Sequence, residues 1–180
     1  MFGYEDYSKE QFKGTLTSFG HPVSVLQDGK LGATLPSVEP TVFSFYGSRG
    51  TYMITVGNIT RGEYVGLTSE GYLHVVNAAV KFTIKDLQGI SLLQHQDVGG
   101  QVVVHMRARE VEPVILFDGN DAFDDLDTLH NCLIAGRKIR HETENKGVFY
   151  TVPTGQGSWE KCPADQQYAA TPTPLILNIL

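Results

Sequence analysis

From residue 12 to residue 117, short runs rich in β-branched and aromatic residues alternate with Gly, Pro, Asn or Asp. Runs this short and this regularly broken read as strands joined by turns, because the punctuating residues supply the backbone angles that turns need and helices do not tolerate. The runs predict strands at 13–19, 22–27, 42–46, 51–56, 63–67, 72–76, 80–84, 101–107 and 114–117. Gln27-Asp28-Gly29-Lys30, Ser69-Glu70-Gly71 and Val98-Gly99-Gly100 each offer the positive φ of a tight hairpin, so the strands on either side are expected to be antiparallel neighbours. The segment LGATLPSVEP carries two prolines and no alternation, and it reads as a loop between hairpins.

The period changes at Asn120. Ala122, Phe123, Leu126, Leu129, Leu133 and Ile134 recur at three- and four-residue steps, which predicts one face of a helix over 120–138. Asn120 or Asp121 would cap it. Asp121, Asp124, Asp125 and Asp127 crowd its start, Arg137, Lys138 and Arg140 crowd its end, and Gly136 would terminate it, an arrangement that complements the helix dipole. Beyond His141 polar and Pro/Gly-rich stretches separate two apolar islands, GVFYTV and LILNIL, which need cover and are expected to dock on the barrel as an added strand or to pair with a second copy. The expected organisation is an N-terminal arm (1–11), a barrel with its helix (12–140) and a Pro/Gly-rich tail (141–180), with no repeat at a fixed period.

Antiparallel strands followed by one amphipathic helix, with VKFTIKDLQGISLL, QVVVHMRAR and PVILFDG leading into NDAFDDLDTLHNCLIAGRK, resemble the pleckstrin-homology-like superfold. The resemblance implies a mostly β (α+β) domain: a bent antiparallel barrel, or two packed sheets, closed by a C-terminal helix. The closing helix lacks the tryptophan that many pleckstrin-homology domains carry there. The first two strands offer only Lys13, His21 and Lys30 where phosphoinositide-binding members cluster bases, so the resemblance implies a protein-binding domain rather than a lipid-binding one. A β-trefoil competes through GEYVGLTSEGYLHVV, which looks like one trefoil unit, but that fold should repeat the unit three times and needs no closing helix, and the sequence meets neither condition.

Length and charge bound the function. A chain of 180 residues suits one core. A net charge of −6 gives no uniform positive field for a nucleic-acid backbone or an anionic leaflet, so nucleic acid is not an expected partner. The apolar runs are far shorter than the roughly 20 residues that a spanning helix needs. MFGYEDYSKEQF has early acids and no apolar segment, which does not read as a secretory signal and makes the cytoplasm the default location. Cys132 and Cys162 are too few for a disulfide framework and read as structural thiols.

No catalytic pattern stands out. His21, His74, His95, His105, His130 and His141 include no metal-binding spacing with a third ligand, although His95 and His105 could face each other across a hairpin. Cys132 and His130 stand two apart on the expected helix and would point away from each other, so an enzyme, a metal and a cofactor are all unexpected. Tyr4, Tyr7, Phe149, Tyr150, Trp159 and Tyr168 lie in polar segments outside the expected core, and Tyr and Trp anchor interfaces. The expectation is therefore a non-catalytic protein-interaction module of a scaffold or cytoskeletal assembly. Its partner would be a protein or peptide, with the tail a route to a homodimer. The alternative is membrane targeting, with Arg107, Arg109, Arg137, Lys138 and Arg140 holding a phosphorylated headgroup, although membrane lipid is not the expected partner. The candidate binding residues are those five bases with Phe149, Tyr150 and Trp159.

Overall fold

The computed structural model describes residues 8–48, 50–57, 62–68, 71–90, 100–109, 112–117, 131–135, 139–143, 147–153, 159–163 and 172–180. Every regular element among them is a strand. β1 (Glu10–Ser18), β4 (Phe43–Ser48), β5 (Thr51–Val56), β8 (Lys81–Asp86), β9 (Gln101–Ala108) and β15 (Leu175–Ile179) each run antiparallel to the next, and β15 returns to β1, so six strands close a barrel. Between the staves lie three hairpins: β2 (His21–Val25) with β3 (Leu31–Ala33), β6 (Tyr64–Leu67) with β7 (Leu73–Val76), and β10 (Glu112–Phe117) with β11 (Asn131–Ala135). Each hairpin is joined to the end of the stave before it.

The hairpins also meet one another. β3 pairs with β11, Lys30 bridges to His74, and the Ala135 N–H donates to the Gly71 carbonyl at 2.8 Å. A six-stranded barrel and three mutually paired hairpins, delivered as three successive four-strand units, constitute the layout of a β-trefoil. The three units superpose residue by residue through the pairing register: Thr17 lies opposite Pro22, Thr55 opposite Tyr64, and Arg107 opposite Pro113. Counting from those pairs aligns HPVSV, EYVGL and EPVIL, and it places Val23, Val65 and Val114 at one equivalent position, all fully buried. Leu16, Ile54 and Met106 form a second such set, and Leu31, Leu73 and Leu133 a third, none more than 2% exposed. A core built from threefold sets packs around one axis, and each such side chain contributes about 1.5–3 kcal/mol of burial.

The hairpin contacts are specific. Gly29 has φ 90, and a Cβ there would stand 2.8 Å from the His74 Nε2, so only glycine lets the first hairpin approach the second this closely. The His74 Nε2 is 2.9 Å from the Asp28 carbonyl and its Nδ1 2.7 Å from the Val75 carbonyl, while the Val75 N–H donates to the Gly29 carbonyl. At the other side of the cap Thr41 and Thr173 do the same work in different units. Each lies two residues before the stave that closes its unit. The Thr41 N–H donates to the Val23 carbonyl and its Oγ1 accepts from the Val25 N–H, whereas Thr173 makes the same two bonds with Val114 and Leu116.

Several expectations change here, the rejection of a β-trefoil among them, because the unit does occur three times through the register. Residues 131–135 of the expected helix are β11: Leu133 is buried as expected, but through alternation with the half-exposed Cys132 and against β10 and β3. The rest of the expected helical face, Ala122, Phe123, Leu126 and Leu129, lies outside the described residues, so the closing helix on which the pleckstrin-homology-like resemblance rested has no counterpart among the described ones. LILNIL supplies a stave between β1 and β9 and is part of the barrel rather than an addition to it, so the barrel extends past residue 140. GVFYTV falls in β13 (Gly147–Pro153), which pairs with β12 (Ile139–Thr143) and β14 (Trp159–Pro163) as a separate three-stranded sheet inserted between β11 and β15. The loop expected over LGATLPSVEP contains β3 at its start.

Candidate functional site

Two surface features stand apart from the core. The first is the wall of the barrel where β8 meets β9. Phe82 and Ile84 of β8 and Val104, Met106 and Ala108 of β9 point inward and are buried, so alternation turns Thr83, Lys85, His105 and Arg107 to the outer face. Register sets Thr83 directly opposite Arg107 and Lys85 directly opposite His105. Together with Asp86, Leu87 and Gly89 of the following turn they line an open cleft of about 270 Å³. The turn holds its own shape because the Asp86 Oδ1 accepts from the N–H groups of Gln88 and Ile90 at 2.9 and 2.8 Å.

The cleft is electropositive. Burial, and then the adjacent Arg107 guanidinium, hold the His105 imidazole below its ordinary pKa, which favours its neutral form. Burial lowers the pKa of Arg107 as well, and the guanidinium stays charged. The Thr83 hydroxyl is buried without a hydrogen-bond partner.

The second feature is the β1–β2 turn. Phe19 is 77% exposed and has φ 49, a left-handed conformation that is disfavoured for a bulky side chain. The equivalent turn positions are Gly57 at φ 84 and Arg109 at φ 52, so the geometry belongs to the fold while the phenylalanine does not. His21, two residues on, has its Nδ1 3.0 Å from the Thr34 carbonyl, and the Thr34 N–H donates to the Pro22 carbonyl. Those bonds bring the β3–β4 connector, with its exposed Leu35, Val38 and Val42, alongside β2.

Of the residues expected to bind, Arg107 enters the cleft. Arg109 instead sits in the β9–β10 turn and pairs with the buried Glu112 at 3.3 Å. Arg140 stands opposite Tyr150 in the inserted sheet, Phe149 opposite His141, and Trp159 opposite Pro153. Arg137 and Lys138 lie outside the described residues, as do Tyr4, Tyr7 and Tyr168. The three described bases of the five expected to act together are therefore divided between the barrel wall, a turn and the insert. Cys132 carries a thiol whose pKa is pushed up, chiefly by burial, with Lys30 opposing and Asp28 adding to the shift. An elevated thiol pKa disfavours the thiolate, in keeping with the structural role expected of it.

Lys85, Thr83 and Phe19 were not singled out by the sequence. Alternation along residues 81–86 and 101–108 carries the signal for the outward faces, but only the pairing of β8 with β9 sets their bases side by side. Comparison with known proteins finds no matching family model, no matching curated protein and no matching solved structure.

Proposed function

We propose that this chain is a non-catalytic protein-interaction module whose partner, a protein or peptide, is gripped at the Phe19 turn. The observation that carries the reading is the side chain at that turn. A left-handed backbone costs an ordinary residue roughly 1–2 kcal/mol, and an exposed phenyl ring at this position gains nothing from the barrel core. The equivalent position in the second unit is a glycine, so the fold has a cheaper solution at the same place. An aromatic side chain kept at such a cost, with Leu35, Val38 and Val42 exposed on the neighbouring connector, has the character of an interface anchor.

The test separates binding from folding. Phe19→Gly relieves the backbone strain, so its denaturant midpoint should equal or exceed that of the parent. With benzoylphenylalanine in place of Phe19, irradiation in extracts of the source cells should give discrete crosslinked species that an excess of the parent protein suppresses and an excess of the Phe19→Gly protein does not. Equal suppression by both competitors would overturn the reading.

A further inference from the structure

Pseudo-threefold symmetry provides an internal control for the β8–β9 cleft. The seam where one unit's closing stave meets the next unit's opening stave occurs three times, and the register makes the three seams equivalent: β4 with β5, β8 with β9, and β15 with β1. At the first, the four outer positions are Ser44, Thr55, Tyr46 and Met53, and at the third Ile176, Thr17, Asn178 and Thr15. None of these eight is charged. At the second they are Thr83, Arg107, Lys85 and His105. The fold therefore does not require cations on a seam, and here it has three potential ones within one cross-strand quartet.

Such crowding works against folding. Like charges opposite or diagonal to one another on a sheet face repel, and the pKa of His105 is lowered chiefly by burial, with repulsion from Arg107 adding to it. In a chain with a net charge of −6, nothing in the overall composition forces bases together. We propose that the β8–β9 cleft binds the phosphate group of a phosphate ester, with Lys85 and Arg107 as charge partners and His105 as a third donor when protonated. An oxyanion turns the mutual repulsion of the bases into a shared attraction, and Arg presents the planar fork that suits phosphate oxygens. The cleft volume of about 270 Å³ is several times the roughly 30 Å³ share of a water molecule, so it admits a phosphate with part of its ester group. Asp86, whose Oδ1 accepts two backbone N–H groups of its turn, brings one negative charge to the rim, where Lys85 and Arg107 outnumber it.

Among the described residues, the titratable and charged groups facing His105 across the cleft are Lys85, Asp86 and Arg107. Bound phosphate would favour the imidazolium, while phosphate itself loses charge over the same range, so as pH falls the affinity of the parent should hold up better than that of His105→Gln. Inorganic phosphate titrated into the full chain should shift the His105 ring resonances saturably. Lys85→Ala, a change at an exposed side chain, should weaken that binding about tenfold or more. Arg107→Ala should do the same, with its fold checked by the retained resonance pattern, while Lys13→Ala on β1 should leave the affinity unchanged. No saturation, or equal weakening by Lys13→Ala, would overturn the site. The source of the phosphate is then read from two further arms, glucose 6-phosphate in solution and phosphatidylcholine vesicles carrying phosphatidylinositol 4-phosphate. Lys85-dependent binding in the first arm alone assigns a soluble ester, and in the second arm a lipid headgroup, while Lys85-independent binding in both overturns the proposal.

Discussion

The first and third four-strand units share a skeleton and differ in almost everything that connects it. Both place a proline opposite the outer residue of the opening stave, a valine next to it in the core, and a leucine on the returning strand of the hairpin. Between the hairpin strands the first unit has a five-residue connection, 26–30, and the third spans 118–130. Between hairpin and closing stave the first unit uses the short connector 34–42, and the third inserts a whole three-stranded sheet. Yet Thr41 and Thr173 end these unlike connectors with the same pair of backbone bonds. The pairing register and the buried sets define the unit; the first and third connectors, unlike in length, both return a threonine to a spot that Val80 holds in the second unit.

The strongest test of that equivalence is the leucine set. Leu133→Ala should destabilise by about 2–5 kcal/mol, as should Leu31→Ala and Leu73→Ala, since all three close one threefold layer. A loss under about 0.5 kcal/mol at Leu133 alone, measured by denaturant melts, would mean that the third hairpin is not a packed member of the cap. A smaller effect sharpens the comparison at the connectors. Thr41→Val and Thr173→Val each leave a backbone N–H without its hydroxyl acceptor, so each should cost about 1–3 kcal/mol. Matching losses would show that connector length does not matter, whereas a silent Thr173→Val would show that the long connector does not depend on that bond.

The smallest effect compares the charged seam with its neutral equivalents. The folded chain holds the His105 pKa below the ordinary 6.5, so near and below that value the unfolded chain binds more protons and stability falls as pH is lowered. Above about pH 6.5 the imidazole is neutral in both states and the penalty vanishes. Denaturant midpoints at about pH 5 and about pH 8 should therefore differ less in His105→Gln than in the parent. An unchanged pH dependence in the variant would place the repulsion elsewhere.

Much of the barrel was legible. The period-two runs mark nine of the strands at their structural positions, and Asp28-Gly29 marks its hairpin, because side-chain alternation and positive-φ demand are local properties. The threefold repeat escaped notice because unequal connectors destroy any fixed period: HPVSV, EYVGL and EPVIL align only once the register shows which residues face each other. The helix expected over 120–138 rested on apolar spacing that ran through Leu133 and Ile134, whereas the structure buries Leu133 and Ala135, the alternation of a strand. Neighbours contributed by β3, a hundred residues earlier in the chain, decide between them. Arg107 was visible as a base, but its companions were not, since Lys85 and His105 meet only through the β8–β9 pairing.

The position of β15 governs when the molecule can exist as a closed object. Its two neighbours are the first stave and the ninth strand, so until Leu175–Ile179 is in place the barrel is an open curved sheet with two free edges, along β1 and β9. Every earlier pairing leaves those edges ready to accept an extended strand from elsewhere. Ring closure joins residues more than 150 positions apart, such as Gly14 and Ile179, which makes it a slow, long-range event in folding. The same vacant slot in one chain fits the last strand of another, so a population caught before closure would exchange β15 between copies and emerge as swapped dimers.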